Sequence, residues 1–247
     1  MTRFFPPACF ALSALVAWQL ISFSAGSHAV SGVVETMAYL FKMMQDPSFW
    51  LDVAESGTAI FYAICLSMLF GWGLGVVIGL NRTTSDVSEP ILVTFYSLPK
   101  VTLYPLVLLT FGLGISAKVA FGVMHGLVPI SLITGNAIRQ LRPVYVRSAK
   151  VMRLSRASIT FHVVLPAILP ELVASLRIGF SLSILGVLIG EMFASKRGLG
   201  FAAVNAMGLG DGTRIMAIGV FLSAFAIAMN FILLEIESAI RHRSSRN

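Results

Sequence analysis

Residues 147–177 read RSAKVMRLSRASITFHVVLPAILPELVASLR, and this stretch decides how the rest of the chain is taken. Arg147, Lys150, Arg153 and Arg156 recur every three residues, with Ala149, Val151, Met152 and Leu154 between them. On a helix that spacing draws a basic stripe winding slowly round an apolar one. Pro143 suits the first turn of such a helix, because its missing N–H is not needed there and its ring pre-sets the backbone. A second helical turn is expected over 158–164, before Leu165-Pro166. A short amphipathic hairpin between two apolar runs would lie along a bilayer surface. Charge alone gives it two readings: a solvated loop that fixes topology and touches anionic lipid, or a lever gripped by a soluble partner.

Outward from that stretch the chain is very apolar. Of its 247 residues 57% are hydrophobic and 12% charged, and mean hydropathy is +0.86. Soluble domains carry about a quarter charged residues, so that class is excluded. The expected fold is all-α: one membrane-embedded bundle, residues 1–247, of about six spans of roughly 20 residues each. The net charge of +7 would suggest nucleic acid in a soluble protein. Here it sits between and beyond apolar runs, where topology and lipid headgroups account for it, and no nucleic acid is expected. Cys9 and Cys65 lie in apolar runs without a second cysteine or histidine nearby, which predicts neither a disulfide framework nor a metal site. No cofactor is expected. The chain carries no Gly-x-x-x-x-Gly-Lys-Ser/Thr loop and no His/Asp/Glu cluster, so enzymatic chemistry is not expected of it.

In chain order, residues 1–54 give a first span over about 7–25 and then an outer amphipathic segment anchored by Trp50. Ser27-His28-Ala29 also fits a signal-peptide cleavage site. Residues 55–238 hold the core spans. In the second, about 56–80, Gly71, Gly75 and Gly79 are four apart, share one helix face and admit close backbone approach. Residues 81–89 read as a polar loop. The third span, 90–111, is broken by Pro99 and Pro105. Lys100 lies about 15 Å into it at helical rise, where a charge must face the protein interior. It attracts an anionic solute or pairs with a carboxylate on a neighbouring helix. Residues 112–118 make an outer turn, and the fourth span carries His125 and Pro129. The fifth, 168–194, has Glu171 and Arg177 near one end and Glu191 near the other, about 21 Å from Arg177 along the helix. Each needs a partner on another helix or water, and all three are pathway or gate candidates beside Lys100. The glycine-rich segment 195–214 reads as a flexible outer loop, 215–234 as the sixth span, and 239–247 as a basic tail.

With both termini inside, Arg3, Arg82, Arg139, Arg142, Arg147, Lys150, Arg153, Arg156, Arg241, Arg243 and Arg246 fall on the cytoplasmic side. Lys42, Lys118, Lys196, Arg197 and Arg214 fall outside. That asymmetry follows the positive-inside tendency.

The central stretch also resembles the last large cytoplasmic loop in permease subunits of bacterial type I ABC importers. There the pattern is Glu-Ala-Ala, three residues, Gly, nine residues, Ile-x-Leu-Pro. Laid here without gaps, it falls on Arg147-Ser148-Ala149, Arg153 and Val163-Val164-Leu165-Pro166. Spacing, Ala149, Leu165 and Pro166 are kept and Val163 is a close substitute, whereas Arg147 replaces the acid and Arg153 the glycine. PLVLLTFGLGISAK at 105–118, LPAILPELVASLRIG at 165–179, GEM at 190–192 and GLG at 198–200 are similar to the nitrate, taurine and sulfonate branch. The resemblance covers roughly residues 55–205. It implies two such permeases (a homodimer or a pair of close paralogues) in a bacterial inner membrane. Two cytoplasmic ATPases would grip the coupling loop, Arg147, Ser148, Ala149, Lys150, Arg153, Val163, Leu165 and Pro166. A periplasmic or lipid-anchored binding protein would deliver a small anion, although pyrimidine precursors are carried by relatives too. An uncleaved first span is expected, because the branch keeps one and the basic flank is weak. Glycine's freedom at positive φ is lost at Arg153, so the turn is expected to shift or the helix to run through it. A secondary transporter or channel, or an uncoupled scaffold, is the alternative.

Overall fold

The computed structural model describes residues 5–25 and 30–244. Arg3, Arg246 and the Ser27-His28-Ala29 tripeptide lie outside them. The described residues form helices and no strands. Four helices are long and apolar enough to cross a membrane, and a bent pair supplies a fifth crossing. The first helix, α1 (Phe5–Ala25), holds a shorter apolar stretch, Leu12–Ser24, so about six spans are reached only by counting it.

Helix α2 (Val33–Met44) is amphipathic and packs on the last helix. It is tied to α1 by Trp18 Nε1 donating to Ser31 O at 3.0 Å and Val33 N–H to Gln19 Oε1 at 3.0 Å. Asp46 accepts from Ser48 N–H and Pro47 fills the first turn, so α3 (Pro47–Leu80) starts earlier than apolarity suggests. Asn81 ends α3 and caps α4 (Arg82–Ser97) through Thr83 N–H. The expected polar loop 81–89 is therefore helix. Its polar turns are held by Arg139, which pairs with Glu89 at 2.6 Å and also donates to Ser85.

Leu98 precedes Pro99 in extended conformation, as that position requires. The chain passes through a 3-10 turn, Lys100–Leu103, into α5 (Tyr104–Phe111), bent by 88° from α4. Gly112 and Gly114, at φ +72° and +120°, turn it into α6 (Ile115–Gln140).

Helices α3, α6 and α10 (Leu169–Ala194) form the core. The apolar window of α6 is 56% buried, against 17% for α12 (Gly212–Ser244), so α6 is central and α12 peripheral. Close approach rests on missing side chains. A Cβ on Gly71 would stand 2.7 Å from Ile130, on Gly75 2.8 Å from Ser131 O and on Gly79 2.7 Å from Ile138, all on α6. On the other side of α6, a Cβ on Gly186 would meet Phe121 O at 2.6 Å. Packing of small residues replaces the hydrophobic drive that lipid does not supply.

Between α6 and α10 lie α7 (Pro143–Val151), α8 (Arg156–Ile159), a π turn over Thr160–Val164, and α9 (Leu165–Ala167). The segment 195–214 is not a loop: it contains α11 (Leu199–Gly208), whose Leu199 and Ala202 join a buried cluster with Phe49 and Ile218.

Candidate functional site

Charge is concentrated at the two ends of the core. At one end, where α3 and α6 begin and α10 finishes, Glu191 is completely buried. Ser56 Oγ lies 2.8 Å from both its carboxylate oxygens, and Gly200 N–H donates to it at 2.9 Å. Lys118, 1% exposed, sits 3.7 Å from Glu191 and 3.0 Å from Glu55, and also donates to Arg197 O at 3.0 Å. The first N–H groups of α11 close the cluster: Gly198 donates to Asp52 at 3.0 Å and Leu199 to Ser56 at 2.8 Å. Three acceptors thus meet the partial positive charge of one helix start. Gly198 is at φ +117° and has Glu191 where a Cβ would stand, so the turn admits no larger residue. Expected on an outer turn, Lys118 is instead a buried cross-link between α3, α6 and the segment before α11. Its place just after Gly112-Leu113-Gly114 hid it. The available signal was that Glu191 needed a cation at the same end of a neighbouring span.

At the opposite end, the hairpin packs Ala149, Ile159, Val164 and Ile168 against Ile138, Trp72 and Val76. Its basic face stays bare: among the described residues Arg147, Lys150, Arg153 and Arg156 have no ion-pair partner. Val151 and Met152, 83% and 72% exposed, stand beside them. Ser148 is exposed on α7, Ala149 faces the core, and Val163, Leu165 and Pro166 lead into α10. Contrary to the expected shift, the turn at Arg153 is kept. Arg153 N–H bonds Lys150 O at 3.0 Å and Leu154 N–H bonds Ala149 O at 3.2 Å, the paired closure of a Schellman helix end. Arg153 itself sits at φ +55°, the one non-glycine with positive φ among the described residues. The two hydrogen bonds hold an arginine where glycine is the usual occupant.

The remaining charged candidates separate. Arg177 lies 3.3 Å from Glu237 on α12, which also pairs with Arg241 at 3.2 Å. Glu171 lines a cavity of about 260 Å³ with Gln140, Arg142 and Tyr145, where α6, α7 and α10 meet. Among the described residues Lys100 pairs with no carboxylate: it is buried at the α4–α5 break, donates to Tyr96 O at 3.1 Å and lies over the Tyr96 ring. His125 Nδ1 donates to Phe121 O at 2.8 Å.

Residues 67–245 match the family described as binding-protein-dependent transport system inner membrane component. The taurine transport system permease protein TauC of Escherichia coli (strain K12) is 30% identical over 192 residues, covering 77% of this chain and 68% of that protein. The formylaminopyrimidine transport permease protein ThiX of Halalkalibacterium halodurans is 24% identical over 228 residues, covering 92% and 89%. Among solved structures, a chain of the MetNI methionine ABC transporter in inward-facing form superposes with a TM-score of 0.68 at 21% identity, covering 79% of this chain and 98% of that one.

Proposed function

Because the chain belongs to the family of binding-protein-dependent transport system inner membrane components, we propose that it lines the pathway of an ABC importer for a small anion and is driven by a separate ATPase through the α7–α8 hairpin. The observation that carries this is the hairpin itself. A row of unpaired cations beside exposed Val151 and Met152 is a surface lacking its partner, since charge with adjoining apolar area suits a protein groove better than water alone. The ATPase groove would carry acidic residues opposite Arg147, where the family pattern has the reverse charge. Closure of two ATPases would push the hairpins together and rock α6 and α10, which it joins. In this reading the hairpin and both termini are cytoplasmic, a second permease copy completes the pathway, and a binding protein meets the α11 end. TauC supports a solute that carries a sulfonate group; the longer match to ThiX favours a pyrimidine as the second reading.

The test begins with topology. In a background where Cys9 and Cys65 are serine, Met152→Cys should resist a membrane-impermeant maleimide in intact cells and react after lysis. Labelling in intact cells would put the hairpin on the wrong side and end the ATPase reading. The complex purified in detergent should then bring down an ATPase whose turnover rises with binding protein. Uptake into vesicles without ATP would point to a secondary transporter. Uptake driven by a nitrate- or taurine-loaded binding protein, but not by a pyrimidine-loaded one, separates the two solutes.

A further inference from the structure

Of the glycines at 71, 73, 75 and 79 on α3, three bring that helix against α6 and Gly73 does not. Two residues from Gly71 and from Gly75, it is turned to the opposite side of the helix. Nothing from a neighbouring element stands within 4 Å of where its Cβ would be. A glycine inside a helix costs stability relative to alanine, so this one leaves room that the chain itself does not fill. The room is a groove of about 610 Å³ walled by Leu69, Gly73 and Val76 of α3, Phe161 of the π turn, and Pro166 and Leu169 leading into α10. Leu69 and Phe161 are 67% and 65% exposed. Two polar side chains on the wall are spent inside the chain. Trp72 Nε1 donates to Ser175 Oγ at 3.1 Å, and Thr160 Oγ1 to Arg156 O at 3.0 Å. The groove is therefore suited to hydrocarbon and not to water.

Depth and charge identify the occupant. On α3, Val76 lies about 6 Å from the helix end at Leu80, and Met68, also on the wall, about 12 Å deeper. That is the depth of one lipid leaflet, whose hydrocarbon is about 15 Å thick. The mouth is at the hairpin. Arg156 comes four residues before Thr160, on the same face of that arm. It is exposed, and no carboxylate among the described residues lies within 4.0 Å of it. An apolar slot of leaflet depth beside an unpaired guanidinium complements an amphiphile with a phosphate head. We propose that the groove between α3 and the start of α10 binds one acyl chain of an anionic phospholipid, whose phosphate pairs with Arg156. A headgroup with no ammonium of its own fits best, because Arg156 belongs to a row of cations. The site leaves Arg147 and Lys150, on the other arm, to a soluble partner, so it stands or falls apart from the ATPase reading.

Thermal unfolding of the purified, delipidated complex tests the site. Dioleoylphosphatidylglycerol is added in detergent and compared with dioleoylphosphatidylcholine, which has the same chains and no net charge. A lipid held only by the folded state raises the midpoint, and the phosphatidylglycerol rise should be the larger by about 2–4 °C in a chain of this size. Gly73→Leu fills the slot without meeting a neighbour and should abolish that difference. Arg156→Gln should abolish it too, whereas Arg147→Gln, the same loss of charge on α7, should keep it. Equal rises with the two lipids in the parent, a difference that persists in Gly73→Leu, or one lost equally in Arg147→Gln overturns the proposal. The rival occupant is a second permease copy. With Cys9 and Cys65 replaced by serine, Gly73→Cys should form no disulfide between copies when the complex is oxidised. A disulfide-linked pair would put protein in the groove and overturn the lipid site.

Discussion

At the α11 end of the core, Lys118, Glu55 and Glu191 answer one another within 3.0 and 3.7 Å, and backbone N–H groups take up the acceptors that remain. About 30 Å away along α6, Arg147, Lys150, Arg153 and Arg156 stand in the open with no ion-pair partner among the described residues. Among the described residues the charges of one end are paired and those of the other are not. The difference follows from solvation: a charge removed from water must be paired where it stands, whereas an exposed one keeps its hydration until a partner displaces it. Close packing of small side chains along α3, α6 and α10 joins the two ends.

The largest effect should come from breaking the paired end. Lys118→Met leaves Glu191 buried beside Glu55 with no cation, a change of about 3–5 kcal/mol. In detergent the unfolding midpoint should fall by roughly 6–20 °C. Adding Glu191→Gln removes the orphaned charge while keeping an acceptor for Ser56 and Gly200, and should restore more than half of the loss. An unchanged midpoint in Lys118→Met would mean that the cluster is hydrated rather than sealed. Ser56→Ala is the next step down. It removes the donor to Glu191 and the acceptor of Leu199 N–H, at a cost of about 1–3 kcal/mol. Hydrogen exchange at the start of α11 should speed up in that variant and stay slow in α10, separating release of α11 from general loosening.

These two ends were unequally legible in the sequence. The hairpin announced itself, because its charges recur every three residues within one short stretch and Pro143 and Pro166 bracket it. The cluster around Glu191 did not: Asp52, Ser56, Lys118, Glu191 and Gly200 come from four separate stretches, and only packing brings them together. Helix α11 was hidden by its glycines, which read as loop. Gly198 and Gly210 mark its two ends at φ +117° and +70°, and Gly200 is where Leu188 O crowds the backbone; they signal turns and close contact around a helix. The break at Leu98-Pro99 was readable from proline chemistry alone, but the destination of the Lys100 ammonium, a backbone carbonyl and an aromatic ring, was not. At α4 the polar residues 81–89 read as loop, since nothing nearby in sequence shows that Arg139 would hold them.

The smallest effects compare one motif at the two ends. Helix α11 closes as α7 does: Asp211 N–H bonds Ala206 O at 2.9 Å and Gly210 N–H bonds Met207 O at 3.1 Å, with Gly210 in the left-handed position that Arg153 fills in the hairpin. A non-glycine there costs about 1–2 kcal/mol, so Gly210→Ala should lower stability by roughly 1 kcal/mol. Arg153→Gly works the other way, and its gain is smaller. Relief of the strained φ is partly offset by the freedom glycine adds to the unfolded chain, leaving several tenths to about 1 kcal/mol. Unfolding midpoints of the two variants should therefore move in opposite directions. If Arg153→Gly also keeps the ATPase bound during purification, Arg153 is tolerated in the turn and dispensable to the contact. Should the ATPase be lost while the midpoint rises, the guanidinium is itself part of the grip, and the strained backbone is held for the partner's sake.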